Sequence, residues 1–165
     1  MEGILARFGK LDVLAHTVGG FAGGQSVADT DDTTFQRMFD LNVNSFLHIL
    51  RASIPPLRRS GGGRVIAIGS RAAVEPGAGV GAYSASKAAM VSLVKTVAAE
   101  NRDAVMTANV ILPGTMDTPA NRMAMPGANF SKWVQPANVA GLAVWLASDA
   151  AKHINGAAIP VYGDI

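Results

Sequence analysis

A three-layer α/β fold built on a four-stranded parallel sheet is the class this sequence predicts, on three observations. Apolar runs of strand length alternate with segments of helical period. The runs themselves do not alternate apolar with polar residues, and Gly- or Pro-rich turns follow them. Strands covered on both faces read as unbroken apolar runs, and joining them through helices requires crossovers and hence a parallel sheet.

In chain order, a short helix ends at Gly9 and leads into the first strand, Leu11 to Val18. The stretch GGFAGGQSVADTDD follows, with Asp29 or Thr30 as the expected N-cap and Asp32 in the first turn of the next helix. Phe35, Met38, Phe39, Phe46, Leu47, Leu50, Ile54 and Leu57 recur at helical spacing, and Pro55-Pro56 should loosen the end of that long helix. The second strand is Arg64 to Ile68, opened by Gly61-Gly62-Gly63 and closed by Gly69-Ser70. An Ala/Ser-rich helix runs from about Ala82 to Glu100, and the third strand, Thr107 to Leu112, ends in Pro113-Gly114. A Met- and Pro-containing loop, a helix from about Pro136 to Ala147 and a closing strand, Ala157 to Tyr162, complete the chain.

The 165 residues suffice for one domain with a sizeable core, taken as residues 1–165. With 49% hydrophobic and 16% charged residues the composition excludes disorder. Lys+Arg 14 against Asp+Glu 12 leaves +2, without a like-charged block that would bind nucleic acid or an anionic membrane. Lack of cysteine excludes disulfides, thiolate zinc sites and cysteine nucleophiles, and is compatible with a cytoplasmic setting. Neither a signal peptide nor a spanning apolar run is evident, so a soluble protein is expected. The mean hydropathy of +0.25 suits a doubly covered sheet or a large subunit interface. His16, His48 and His153 lack zinc-site spacing, and DTDDTT reads as a helix cap, so no metal site is expected.

Four features carry chemistry, each with a plainer reading beside it. Tyr83-Ser84-Ala85-Ser86-Lys87 puts a phenol and an ammonium one turn apart on one helix face, where the cation is expected to lower the phenol's pKa for proton transfer; it could also be a surface pair. Ser70 stands at the carboxyl end of a parallel strand, where ligands bind in open sheets, and its hydroxyl can polarise a carbonyl; the alternative is a capping serine. Asn42 lies inside a helix, where Asn competes with the backbone, or else faces solvent as Asn44 is expected to do. Gly19-Gly20 and Pro113-Gly114 follow strand ends, either to admit a ligand close to the backbone or as ordinary turns.

Together these residues resemble the short-chain dehydrogenase/reductase family. That family carries an Asn, Ser, Tyr and Lys set, with the Ser thirteen positions before the Tyr, as Ser70 stands to Tyr83. PGTMDT matches its Pro-Gly turn, and VAGLAVWLASDAAKHINGAAIPVYGD its terminal helix-strand pattern. The resemblance implies NAD or NADP as cofactor and hydride transfer to or from a carbonyl, alcohol or pteridine-like small molecule. It makes Tyr83 the general acid/base, Lys87 the group that depresses its pKa and holds the nicotinamide ribose, and Ser70 the group that orients the substrate oxygen. Asn42 would fix a kink and anchor a water, while Gly19, Pro113, Gly114, Met116 and the Thr118 hydroxyl would line the nicotinamide.

GGFAGG and DTPANRMAMPGANFSKW further resemble loops of dihydropteridine reductase, although that enzyme lacks the serine present here as Ser70. Met123, Met125, Phe130 and Trp133 would cover the pocket or pack the loop.

The family's TGxxxGxG phosphate-binding element is not in these 165 residues, and His16-Thr17-Val18-Gly19 stands where the family has Asn-Asn-Ala-Gly. Residue 1 aligns inside the helix before the family's fourth strand, which makes the chain a truncated Rossmann-like half. Leu11 to Val18 then becomes an apolar edge, to be covered by a second copy or by a complementing N-terminal segment, and a helix pair offers a further homo-oligomer contact. Whether the chain alone is an enzyme stays open between an oxidoreductase impaired in cofactor binding and a non-catalytic remnant acting as an oligomeric or partner-binding module.

Overall fold

The computed structural model describes residues 1–163. Four strands, β1 (Val13–His16), β2 (Arg64–Ile68), β3 (Thr107–Pro113) and β4 (Ala158–Val161), form one parallel sheet in sequence order. Val13 stands opposite Arg64, Arg64 opposite Thr107, and Val110 opposite Ala158. The helices are α1 (Glu2–Phe8), α2 (Asp32–Phe39), α3 (Ser45–Arg59), α4 (Gly81–Glu100), α5 (Pro119–Ala124) and α6 (Pro136–Ala147). The expected α/β class and four parallel strands are therefore present.

The unbroken apolar runs follow from burial on both faces. Val65 and Ala67 of β2 and Ala108, Val110 and Leu112 of β3 pack with Phe46, Leu50 and Leu57 of α3 and Met90 and Val94 of α4. Their neighbours Ile66 and Ile111 face the opposite way, onto Val139 and Leu146 of α6. All seven residues of β3 are buried. Successive side chains of a strand point to opposite layers, so both sets must be apolar.

Several local expectations are corrected. Asp31, one residue beyond the expected pair, caps α2 by accepting from Thr34 N at 2.7 Å. The long helix is divided by a π turn, Asp40–Asn44, which widens the backbone around Asn42. Pro55 and Pro56 lie inside α3, which continues to Arg59. Packing overrides the missing donors there: Pro56 and Leu57 are buried. Beta1 is four residues long, shorter than Leu11 to Val18, and the loop after Pro113-Gly114 contains α5, capped by Thr118. Among the described residues no helix is long and apolar enough to cross a membrane.

Candidate active site

The carboxyl ends of β1, β2 and β3 and the start of α4 open into one cavity of about 1130 Å³. The topology brings to it most of the residues singled out from the sequence. Gly19, Ser70, Tyr83, Lys87, Pro113, Gly114 and Met116 line it. Asn42 and Thr118 are not part of that lining.

Ser70 reaches the cavity because the chain leaves β2 tight against β3. Gly69 N donates to Ile111 O at 2.8 Å, and a side chain at Gly69 would meet Leu112 Cδ2 at 2.8 Å. Ser70 Oγ then accepts from Ala72 N at 3.2 Å, capping the 3-10 turn Arg71–Ala73. The serine thus caps a turn, as the plainer reading expects, and its hydroxyl also faces Tyr83 on the cavity wall.

Tyr83 and Lys87 sit one turn apart on α4. Lys87 is only 5% exposed, and its Nζ donates to Ile68 O at 3.2 Å. Burial alone lowers its pKa to about 8. Burial also raises the pKa of Tyr83 above 10, and a hydrogen bond with Ser70 only partly offsets this. The expected depression of the phenol by Lys87 is thus not found: burial raises the phenol, and the group that pulls it back is Ser70.

Asn42 is fully buried one step behind this wall. Its Oδ1 accepts from Gly20 N at 2.9 Å, and its Nδ2 donates to Gly20 O at 3.1 Å and to Ser86 Oγ at 2.9 Å. Ser86 Oγ in turn donates to Tyr83 O at 2.7 Å. Asn42 therefore ties the loop after β1 to the helix that carries the tyrosine, and its partners are protein groups. Asn44 donates to Asp40 Oδ1 at 2.7 Å and is half-buried.

Gly19 and Gly114 line the cavity and are also fixed by close packing behind it. A Cβ at Gly19 would stand 2.7 Å from Asn42 Oδ1 and 3.1 Å from Lys87 Nζ. At Gly114 it would stand 2.6 Å from the main-chain oxygen of Tyr162. In both cases the chain's own groups take the space.

The segment after β3 adds Met125, Lys132 and Trp133 to the cavity wall. Arg122 forms a bidentate pair with Asp117, which also accepts from Gln135 Nε2 at 3.0 Å, and these bonds hold the Asp117 carboxyl near pKa 2. The Arg122 guanidinium lies 4.8 Å over the Phe130 ring, and that ring is 4.8 Å from Trp133. Of the four apolar residues expected to cover the pocket, Met125 and Trp133 line it while Met123 and Phe130 do not. Thr118 uses its hydroxyl to cap α5, accepting from Asn121 N at 3.2 Å.

Other neighbours were not legible as site residues. Phe21 meets the Tyr83 ring edge-on at 5.0 Å, because Gly24 N bonds to Gly79 O and docks the GGFAGG loop on the segment before α4. His16 is buried with its ring 4.7 Å from Phe46, its pKa lowered by burial and by the Lys87 charge. Arg71, Glu75 and Tyr162 also line the cavity. The available signals were adjacency to Ser70 for Arg71, and for Tyr162 its place after a strand that ends on the same edge.

The family model for Enoyl-(Acyl carrier protein) reductase matches residues 1–163. Dihydropteridine reductase of Dictyostelium discoideum is 33% identical over 162 residues, covering 96% of this chain and 69% of that protein. The chain belongs to the short-chain dehydrogenase/reductase family.

Within this family, 7alpha-hydroxysteroid dehydrogenase of Escherichia coli K12 is 30% identical over 168 residues, 96% of this chain and 65% of that one. A short-chain type dehydrogenase/reductase from Mycobacterium ulcerans superposes with a TM-score of 0.93 at 28% identity, over 98% of this chain and 62% of that structure. The chain thus spans about two thirds of the length of these short-chain dehydrogenase/reductase relatives. At the end of β1, where the family resemblance leads one to expect an Asn, this chain has the buried His16.

Proposed function

We propose that this chain carries the catalytic part of an NAD(P)-dependent oxidoreductase acting on the carbonyl or alcohol of a small molecule. The observation that supports this best is the convergence of the Ser70 hydroxyl, the Tyr83 phenol and Lys87 on one cavity. Tyr83 exchanges a proton with the substrate oxygen, and Ser70, hydrogen-bonded toward Tyr83, orients that oxygen. The raised phenol pKa keeps Tyr83 protonated at neutral pH, which suits proton donation during reduction. Asn42, through Gly20 and Ser86, is a positioning residue for α4.

The nicotinamide end of the cofactor fits the residues present. Lys87 Nζ has Ile68 O as its protein partner and donors to spare for a ribose, and Pro113, Gly114 and Met116 offer main chain along the cavity wall. When bound, nicotinamide supplies or accepts hydride. The 165 residues contain no TGxxxGxG element for the pyrophosphate, so affinity of this chain alone is expected to be weak.

A second reading is a non-catalytic oligomeric or partner-binding module. Titration of NADH and NADPH by nicotinamide fluorescence, with turnover of carbonyl substrates, separates the two. Saturable binding with turnover that vanishes in Tyr83→Phe supports the oxidoreductase; no binding at millimolar cofactor supports the module.

A further inference from the structure

The cavity wall beyond Ser70 carries a charged cluster that the proton and hydride chemistry does not use. Arg71 follows Ser70 directly, and Glu75 N bonds to Arg71 O at 2.9 Å, so the two side chains leave one turn on the same side. Arg71 Nε donates to Glu75 Oε2 at 2.7 Å. The guanidinium carbon lies 4.9 Å from the centre of the Tyr162 ring. Tyr162 is brought there because β4 ends at Val161 and the Tyr162 main chain packs on Gly114.

One guanidinium nitrogen is therefore committed to Glu75 and one face to an aromatic ring. The two terminal nitrogens have no protein partner among the described residues. A planar cation held in this way presents two parallel N–H donors, the complement of a carboxylate. Glu75 engages only the Nε side of the fork and leaves the terminal nitrogens open, though its charge offsets part of the Arg71 field; burial first, and then the Glu75 charge, raise the pKa of the Tyr162 phenol. The charged residues lining the cavity are Arg71, Lys87 and Lys132 against Glu75 alone, a balance that favours an anion.

We infer that Arg71 is the receptor for a carboxylate of the substrate, which makes the substrate a short oxo acid or hydroxy acid. This rests on the oxidoreductase reading of the same cavity. The carboxylate is a spectator: in reduction the carbonyl carbon gains hydride, its oxygen gains the Tyr83 proton, and the reduced nicotinamide is left oxidised. Glu75 and Tyr162 are positioning residues that hold the fork in its plane.

Trp133 lines the cavity, so its emission reports occupancy without turnover, and Trp145→Phe removes the other tryptophan. The probes are pyruvate and 3-oxobutanoate beside their methyl esters, each titrated with and without millimolar NAD+ or NADP+. The expected result is saturable binding of at least one acid, about tenfold tighter than its ester. Arg71→Met should weaken acid binding about tenfold and leave the ester unchanged, with an unaltered thermal melt showing that the variant folds. Glu75→Gln should tighten acid binding severalfold. Equal binding of acid and ester, an acid affinity indifferent to Arg71→Met, or no saturation by any acid each overturns the proposal. Loss of turnover in Tyr83→Phe is read separately, so the oxidoreductase reading can survive that failure.

Discussion

The Lys87 ammonium lies 6.0 Å from the centre of the Tyr83 ring, one turn along the same helix, and yet the phenol is less acidic than a free tyrosine. Both groups occupy one desolvated wall, and burial pushes each toward its neutral form: the tyrosine up, the lysine down to about 8. Ser70 is the group whose hydrogen bond pulls Tyr83 back toward acidity.

The cofactor-free protein should therefore hold Tyr83 protonated well past neutrality. Tyr162→Phe leaves Tyr83 as the only tyrosine, so near-ultraviolet absorbance of tyrosinate reads it directly. The midpoint is expected above 10, and higher still in Ser70→Ala. A midpoint below the ordinary tyrosine value would show that the lysine governs after all.

Lys87 should cost the fold stability. Its pKa falls from 10.5 unfolded to about 8 folded, so the unfolded chain binds the proton first as pH drops through that window. Stability is lost between those values, by roughly 3 kcal/mol at 1.36 kcal/mol per unit, and is flat below. Lys87→Met should melt higher than the parent at pH 7 and lack this dependence, while losing any turnover. Equal melting temperatures at pH 7 and pH 11 for both proteins would count against it.

Gly19→Ala tests the tie between the loop and α4. The new methyl would stand 2.7 Å from Asn42 Oδ1 and 3.1 Å from Lys87 Nζ, so the Asn42–Gly20 pair or the lysine must move. Orphaning one buried partner costs about 1–3 kcal/mol, and turnover should fall with it. Gly127→Ala, with no atom within 4 Å of the new methyl, is the control and should stay within about 0.5 kcal/mol of the parent.

Element order, the parallel sheet and the extents of β2 and α6 were legible because period and turn residues act locally. The Tyr83–Lys87 spacing and the strand-end position of Ser70 were equally visible. What escaped depends on contacts distant in sequence. The pKa of Tyr83 is set by how much water the assembled wall excludes. Gly114 is fixed by the main chain of Tyr162, 48 positions away, and Arg71 gains its orientation from the same residue. The π turn around Asn42 has no local pattern, and it fits because Asn42 is drawn to Gly20 and Ser86.

Beta1 should not remain a free edge. It pairs with β2 on one side and, among the described residues, has no strand neighbour on the other, which leaves backbone N–H and C=O groups open to another chain. Val13 and Val18 are 38% and 56% exposed beside it, and α1 buries no residue. The Lys10–Asp12 pair, at 3.1 Å, places charge at the head of the strand. Light scattering at micromolar concentration is thus expected to report a dimer or larger species. Val13→Glu puts a carboxylate on that edge opposite Arg64, its partner in register, and should shift the population toward monomer without lowering the melting temperature by more than a few degrees. A parent chain that scatters as a well-folded monomer would mean that the edge is protected by twist and charge alone.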